Sequence, residues 1–218
     1  MKNGERRIEF SMPFTFSIFN SQLNKKMIAI IDYDAGNVKS VQNALKKLGY
    51  EAEITSDIEK IKNAEKVIFP GVGEASSAMR KLKERNLDEF IPTLKQPVLG
   101  ICLGMQLLCK SSEEGNTQGL GVFDCEVKLF PNSDIVPHMG WNNLTDIKGE
   151  LLKGLTEEDN FYFVHSYYAE VCENTSSVCE YILPFSATLE KDNFFAAQFH
   201  PEKSGDAGFQ LLNNFLKM

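Results

Sequence analysis

The string PVLGICLGMQLLCKSS, which begins at Pro97, places Cys102 between Gly100 and Gly104. PVLGI reads as a buried strand and LGMQLLCKSS as a helix, so Cys102 falls at a strand-to-helix junction. Gly-x-Cys-x-Gly at such a junction is the cysteine form of a nucleophile elbow. The turn is sharp, and the flanking glycines relieve its crowding. It lifts the thiol above the C-terminal edge of a sheet, where open α/β folds hold their sites. The helix start adds free N–H groups and a positive dipole end, which favour a thiolate. Lowering a thiol pKa from about 8.5 to about 7 raises the thiolate at neutral pH roughly fifteenfold. The backbone N–H of Leu103 points where an oxyanion would form. An unreactive buried cysteine is the plain alternative. It is the reading taken for Cys109, Cys125, Cys172 and Cys179, which lack the paired glycines.

A thiol nucleophile needs a base from elsewhere in the chain. The string FFAAQFHPEKS supplies His200 after an apolar strand and Glu202 two residues on, across Pro201. Proline fixes its own φ and stiffens the turn. A carboxylate so close can select the imidazole tautomer and leave the other ring nitrogen for Cys102. Taken singly, His200 reads as a strand-end histidine and Glu202 as an acid at a helix start. The pair together is better explained by a Cys–His–Glu relay. A third element is FPGVG, where Gly71, Val72 and Gly73 leave a strand at the same sheet edge. Glycines there let backbone N–H groups approach a ligand. A plain strand-to-helix loop is the competing reading.

The elements that must position these residues alternate from Met27 onward. MIAIID is a strand. GNVKSVQNALKKLGY is a helix with Val38, Val41, Leu45 and Leu48 at helical spacing and Gly49 as its stop. EAEITS is a second strand, and Asp57 caps a short helix through Ala64. KVIFPGVG is a third strand, EASSAMRKLKERNLDEFI a helical stretch, and PVLGI the fourth strand. This order predicts an α/β fold with a parallel sheet wound on both sides. After about Gly119 short β-like runs dominate: GVFDCEVKLF, NFYFVHSYYAEV, FSATLE and NFFAAQF. They read as antiparallel strands added to the parallel sheet. GDAGFQLLNNFLKM closes the chain as an amphipathic helix.

The 218 residues predict a globular domain at 27–218 preceded by an extension at 1–26. The extension mixes Glu5 and Glu9 with basic residues, and Pro13 interrupts its Phe-rich patch. It therefore reads as sequence outside the core, or upstream of a start at Met27, rather than as a signal peptide. The net charge of −7 argues against nucleic acid or an anionic membrane as partner. No apolar run approaches the ~20 residues of a membrane span. Five scattered cysteines with no CxxC pair, and three distant histidines, predict neither a disulfide framework nor a metal site. A reducing cytoplasm is the simplest compartment.

Taken together, PGVG, GICLGMQ and QFHPEKS resemble the class I glutamine amidotransferases. DYDAGN, PHMGWN and FYFVHSYY narrow the resemblance to the glutaminase subunits of imidazole glycerol phosphate synthase. It runs from about Met27 to the C-terminus. The resemblance implies a flavodoxin-like, doubly wound, mainly parallel sheet with added antiparallel strands. It implies that Cys102 attacks the side-chain amide of glutamine, that His200 shuttles protons and that Glu202 orients it. No cofactor or metal is implied. Gly71, Val72, Gly73 and Leu103 would surround the oxyanion. Gln106, Ser166 and Tyr167 would help hold glutamine. The implied partner is a (β/α)8-barrel cyclase that receives the ammonia. Asn37, His138, Trp141 and Lys203 match positions at or near that interface. Plain alternatives are a core tryptophan, a satisfied turn histidine and a solvated lysine. Two competing functions stay open at this point. One is a paralogous ammonia supplier for surface-sugar amidation, and the other is a cysteine hydrolase on the same fold.

Overall fold

The computed structural model describes residues 27–34 and 37–218, so the expected extension at 1–26 lies outside the described residues. The first half alternates strand and helix: β1 (Ile28–Ile31), α1 (Val38–Lys47), β2 (Ala52–Thr55), α2 (Ile58–Asn63) and β3 (Lys66–Gly71). It continues through α3 (Ala75–Glu84), α4 (Leu87–Phe90), β4 (Val98–Cys102) and α5 (Leu103–Leu108). Eight of the nine remaining strands follow: β5 (Cys109–Ser112), β6 (Thr117–Gln118), β7 (Phe123–Leu129), β8 (His138–Asn143), β9 (Asn160–His165), β10 (Tyr167–Ala169), β11 (Thr175–Glu180) and β12 (Pro184–Lys191). Strand β13 (Phe194–Ala197), a 3-10 turn at Pro201–Lys203 and helix α6 (Gly205–Lys217) complete the chain.

The central sheet runs in the order β11-β12-β13-β4-β3-β1-β2. Strands β2, β1, β3, β4 and β13 pair parallel, and β12 and β11 extend the sheet antiparallel. Side chains alternate across it because successive Cβ atoms point to opposite faces. Ile28, Ile30, Ile68, Leu99 and Ile101 pack with Val41, Leu45, Leu211 and Phe215 of α1 and α6. Ala29, Ile31, Val67, Phe69 and Val98 pack with Ile61, Ala78 and Leu82 of α2 and α3. Both faces are thus covered, as the continuous apolar strands require.

Local signals act where expected. Asp57 accepts hydrogen bonds from the N–H groups of Glu59 and Lys60 at 2.9 and 3.1 Å. Gly49 has φ +86°, and Tyr50 N–H reaches back to Leu45 O, which closes α1 in a Schellman motif.

Four readings of the sequence are corrected. LGMQLLCKSS is not one helix: α5 ends at Leu108, and Cys109–Ser112 forms a strand beside β7. The N–H groups of Leu120, Gly121 and Val122 take the carbonyls of Leu107, Cys109 and Leu108, so another segment caps the helix early. The stretch 74–91 breaks at Asn86, which adopts left-handed φ 56° between α3 and α4. NFYFVHSYYAEV divides at Ser166: β9 pairs with β8, whereas β10 joins a separate sheet ordered β10-β7-β5-β6. NFFAAQF enters the central sheet parallel to β4, not antiparallel, because the β12–β13 hairpin turns it back along β4. Strand β11 lacks an apolar alternation. Its hydroxyls pair across the sheet instead, Thr175 with Ser186 and Ser177 with Thr188, each at 2.7 Å.

Candidate active site

Cys102 ends β4 and begins α5 with φ 54° and ψ −111°. A non-glycine residue in that region costs on the order of 1–3 kcal/mol and persists only where its surroundings fix it. The flanking glycines serve clearance. A Cβ on Gly104 would lie 1.8 Å from the carbonyl oxygen of Phe69, and one on Gly100 would lie 2.7 Å from Leu108 Cδ1. Both glycines let α5 press onto β3 and β4. Leu103, as the first residue of the helix, keeps a backbone N–H with no partner inside the helix.

His200 is held from three sides. Its N–H donates to Tyr162 O at 2.9 Å, and its carbonyl accepts from Ser204 Oγ at 2.7 Å. Its Nδ1 lies 2.9 Å from Glu202 Oε1, and both side chains are buried. A carboxylate only accepts, so Nδ1 carries the proton and Nε2 is the ring atom free to exchange one. Burial pushes the imidazole pKa down. Cys102 and the Glu202 carboxylate push it up more strongly, to about 9. Burial likewise raises the Glu202 pKa, but His200 and Asn37 outweigh it and hold the group below its ordinary value.

Among the described residues, the buried side-chain polar atoms without a hydrogen-bond partner are Tyr33 Oη, His200 Nε2 and Glu202 Oε2. Such atoms are costly away from function. Two belong to the hydrogen-bonded His200–Glu202 pair. The third is beside it, because a Cβ on Gly71 would lie 2.2 Å from Tyr33 Oη and 3.1 Å from Leu103 Cβ.

Cys102 and His200 line one cavity of about 400 Å³. Val72, Gly73 and Leu103 form one wall, and Gln106, Ser166 and Tyr167 another. Gly71 does not line it and instead supports Leu103 from beneath. A larger groove of about 830 Å³ lies at the N-terminal edge of the parallel strands, beside Ile28, Ala52 and Lys66. It contains no cysteine or histidine; Cys102 and His200 lie at the opposite edge.

Around Cys102 lie residues the sequence reading passed over, Gln198 behind the cavity and Glu114 and His165 on its wall. Gln198 is fully buried; its amide nitrogen lies 3.8 Å from Cys102 Sγ, and its oxygen accepts from Gln106 at 3.0 Å. Gln106 donates as well to Tyr167 O at 2.9 Å. A polar residue directly after the apolar FFAA was the available signal. Glu114 and His165 also line the cavity. Glu114 accepts from Ala75 N–H at 2.7 Å and so fixes the start of α3. His165 donates from Nδ1 to Tyr167 O at 2.8 Å, and its Nε2 accepts from His138 Nδ1 at 3.1 Å. Burial lowers both imidazoles, to about 3 and about 4, so the pair is neutral near pH 7.

The four residues matched to a partner surface separate. Trp141 is 58% exposed on β8 with Met139 beside it at 66%, and Lys203 lies over Tyr162 at 5.9 Å. Trp141 is therefore no core tryptophan. His138 is 3% exposed and stacks on Tyr181 with centroids 4.1 Å apart, so it supports the cavity wall from behind. Asn37 turns inward and donates to Glu202.

The glutamine amidotransferase class-I family matches residues 29–218. An imidazole glycerol phosphate synthase subunit HisH from Bacteroides fragilis (strain YCH46) is 58% identical over 194 residues, covering 88% of this chain and 99% of that protein. The HisH of Bacteroides thetaiotaomicron is 55% identical over the same shares. A solved glutamine amidotransferase superposes with TM-score 0.68 at 21% identity, covering 87% of this chain and 97% of that one, a likeness of fold. The chain belongs to the class I glutamine amidotransferases and, within them, to the HisH subunits of imidazole glycerol phosphate synthase.

Proposed function

We propose that this chain hydrolyses glutamine to glutamate and ammonia and passes the ammonia to a (β/α)8-barrel cyclase. The cyclase then forms imidazole glycerol phosphate and aminoimidazole carboxamide ribotide for histidine biosynthesis. The observation that carries the reading is a strained cysteine and a carboxylate-bound histidine facing one cavity. His200, charged near pH 7, holds the proton that Cys102 has given up, and the Cys102 sulfur attacks the side-chain amide carbon. Charge collects on the amide oxygen, toward Leu103 N–H and the Val72–Gly73 turn. His200 returns the proton to the departing nitrogen, and ammonia leaves a glutamyl thioester. Water, deprotonated by His200, then cleaves the thioester and restores the thiol. Gln106, Ser166 and Tyr167 hold the amino-acid end, and Glu202 holds the imidazole.

The cyclase docks over Met139, Trp141 and Lys203. Cross-strand pairing sets Val164 beside Met139 and Tyr162 beside Trp141, and Val164 lines the cavity. An exposed apolar patch continuous with the cavity mouth suits a partner that must receive ammonia before water protonates it. We read 27–218 as the amidotransferase domain, 1–26 as an extension, and the cytoplasm as its compartment, where free thiols persist. Among the described residues no helix is long and apolar enough to cross a membrane.

The test is glutamate release from glutamine, with and without the cyclase and its ligand. We expect low activity alone, a rise with both, and none after Cys102→Ala. Activity that survives the substitution overturns the reading. A glutamine-analogue electrophile should label Cys102 and spare Cys109.

A further inference from the structure

The loop from β1 to α1 ends in Asn37, the N-cap of α1. Its carbonyl accepts from Ser40 N–H and Val41 N–H, as an N-cap should, but its side chain makes no capping bond. Asparagine is among the preferred N-caps because its side-chain oxygen satisfies a free helix N–H, a contribution of ~1 kcal/mol. Here that contribution is forgone. Asn37 holds φ 79°, and its Nδ2 reaches 2.5 Å from Glu202 Oε1. The same nitrogen is 3.4 Å from His200 Nδ1. Both nitrogens are donors, so the shorter contact is the bond, and Oε1 accepts from Asn37 and His200 together. The other oxygen, Oε2, is buried without a partner. Two donors converging on one oxygen therefore fix the rotation of the whole carboxylate. Asp34, three residues before Asn37, is held as well: its carbonyl oxygen accepts from Lys81 at 2.7 Å and its carboxylate pairs with Arg85.

We infer that Asn37 is a positioning residue of the relay, whose amide locks the Glu202 carboxylate toward His200. The inference rests on the glutaminase reading above. It assigns to Asn37 a task inside the site, separate from any contact with the cyclase. The charged and titratable groups facing the relay are Cys102, His200, Glu202, the neutral His165 and Tyr33, whose phenol is kept protonated by burial and by Cys102.

The test uses Asn37→Gly and Asn37→Asp. Glycine suits the positive φ and costs an N-cap only a few tenths of a kcal/mol, so the fold is kept while the donor is lost. Aspartate keeps the shape and the backbone carbonyl that begins α1 but offers a carboxylate where the amide N–H stood. Glutamate release is followed in the full chain with the cyclase and its ligand, from pH 5 to 10. Labelling by a diazoketone analogue of glutamine is followed in the chain alone. We expect kcat to fall about tenfold to a hundredfold in both variants, as for losing a bond to a charged group, with KM nearly unchanged. The acid limb of kcat/KM should move to higher pH, because Glu202 loses a donor that favours its charged form. Labelling should slow without the partner present. Wild-type rates and an unshifted acid limb in Asn37→Gly overturn the inference, as does slow turnover with wild-type labelling. A wild-type chain that neither releases glutamate nor takes the label fails the glutaminase reading instead.

Discussion

At the scale of single residues, the site rests on one proton held on one ring. The His200 pKa is raised from 6.5 to about 9, so the folded chain binds that proton more tightly than the unfolded chain does. The resulting stabilisation is complete below pH 6.5 and is lost as pH rises through 9. Its size is on the order of 3 kcal/mol. Thermal melting of wild type and His200→Gln between pH 6 and 10 should show a gap that narrows over this window. A gap that stays constant would return His200 to an ordinary pKa. Glu202 acts at the other end of the scale: its lowered pKa gives stability above the usual carboxylate range that is lost as pH falls. The His200–Glu202 pair was legible in the sequence because two residues of separation and a proline make a contact almost by themselves. Asn37 and Gln198 were not, because their partners are distant in the chain.

Elements fix what the residues can do. The elbow works because α5 sits directly on β3, and Gly104 is the point of closest approach. Gly104→Ala would push a methyl against the Phe69 carbonyl, a backbone atom that cannot rotate away. The expected cost is ~1–3 kcal/mol. The Tm should drop by about 2–10 °C, with loss of glutaminase activity as α5 lifts Leu103 and Cys102. An alanine variant with unchanged Tm and rate would show that the helix has slack. The short strand-helix units were readable from apolar runs and end signals. The early stop of α5 was not, since the groups that cap it come from residues 120–122. Nor was β11, whose buried serines and threonines satisfy each other only once β12 is alongside.

For the whole molecule, the question is where the ammonia goes. The open face of β8 and β9 carries Met139 and Trp141 to solvent beside the cavity that holds Cys102. A large exposed aromatic of this kind is a typical binding hot spot, and its truncation removes ~2 kcal/mol or more. Trp141→Ala should therefore weaken cyclase binding about thirtyfold in calorimetric titration while leaving the Tm of the free chain within about a degree. Equal affinity in the variant would move the interface to another face. Lys203 and Tyr162, stacked at the same edge, place the patch against the turn that carries Glu202.

The sequence by itself determined the parts whose causes are local. These are the buried strands, the helix caps, the strained Cys102 junction with its glycines, and the histidine held by a carboxylate two residues on. Tertiary structure decided what depends on approach across the chain. It set β13 parallel to β4, which brings His200 to the edge where Cys102 emerges. It turned His138 into a buried wall residue and left Trp141 in solvent. It also drew Asn37 from its helix onto Glu202. The physical reason is the same each time: a hydrogen-bond partner or a packing surface supplied by a distant segment outweighs the modest local preference of the residue it meets.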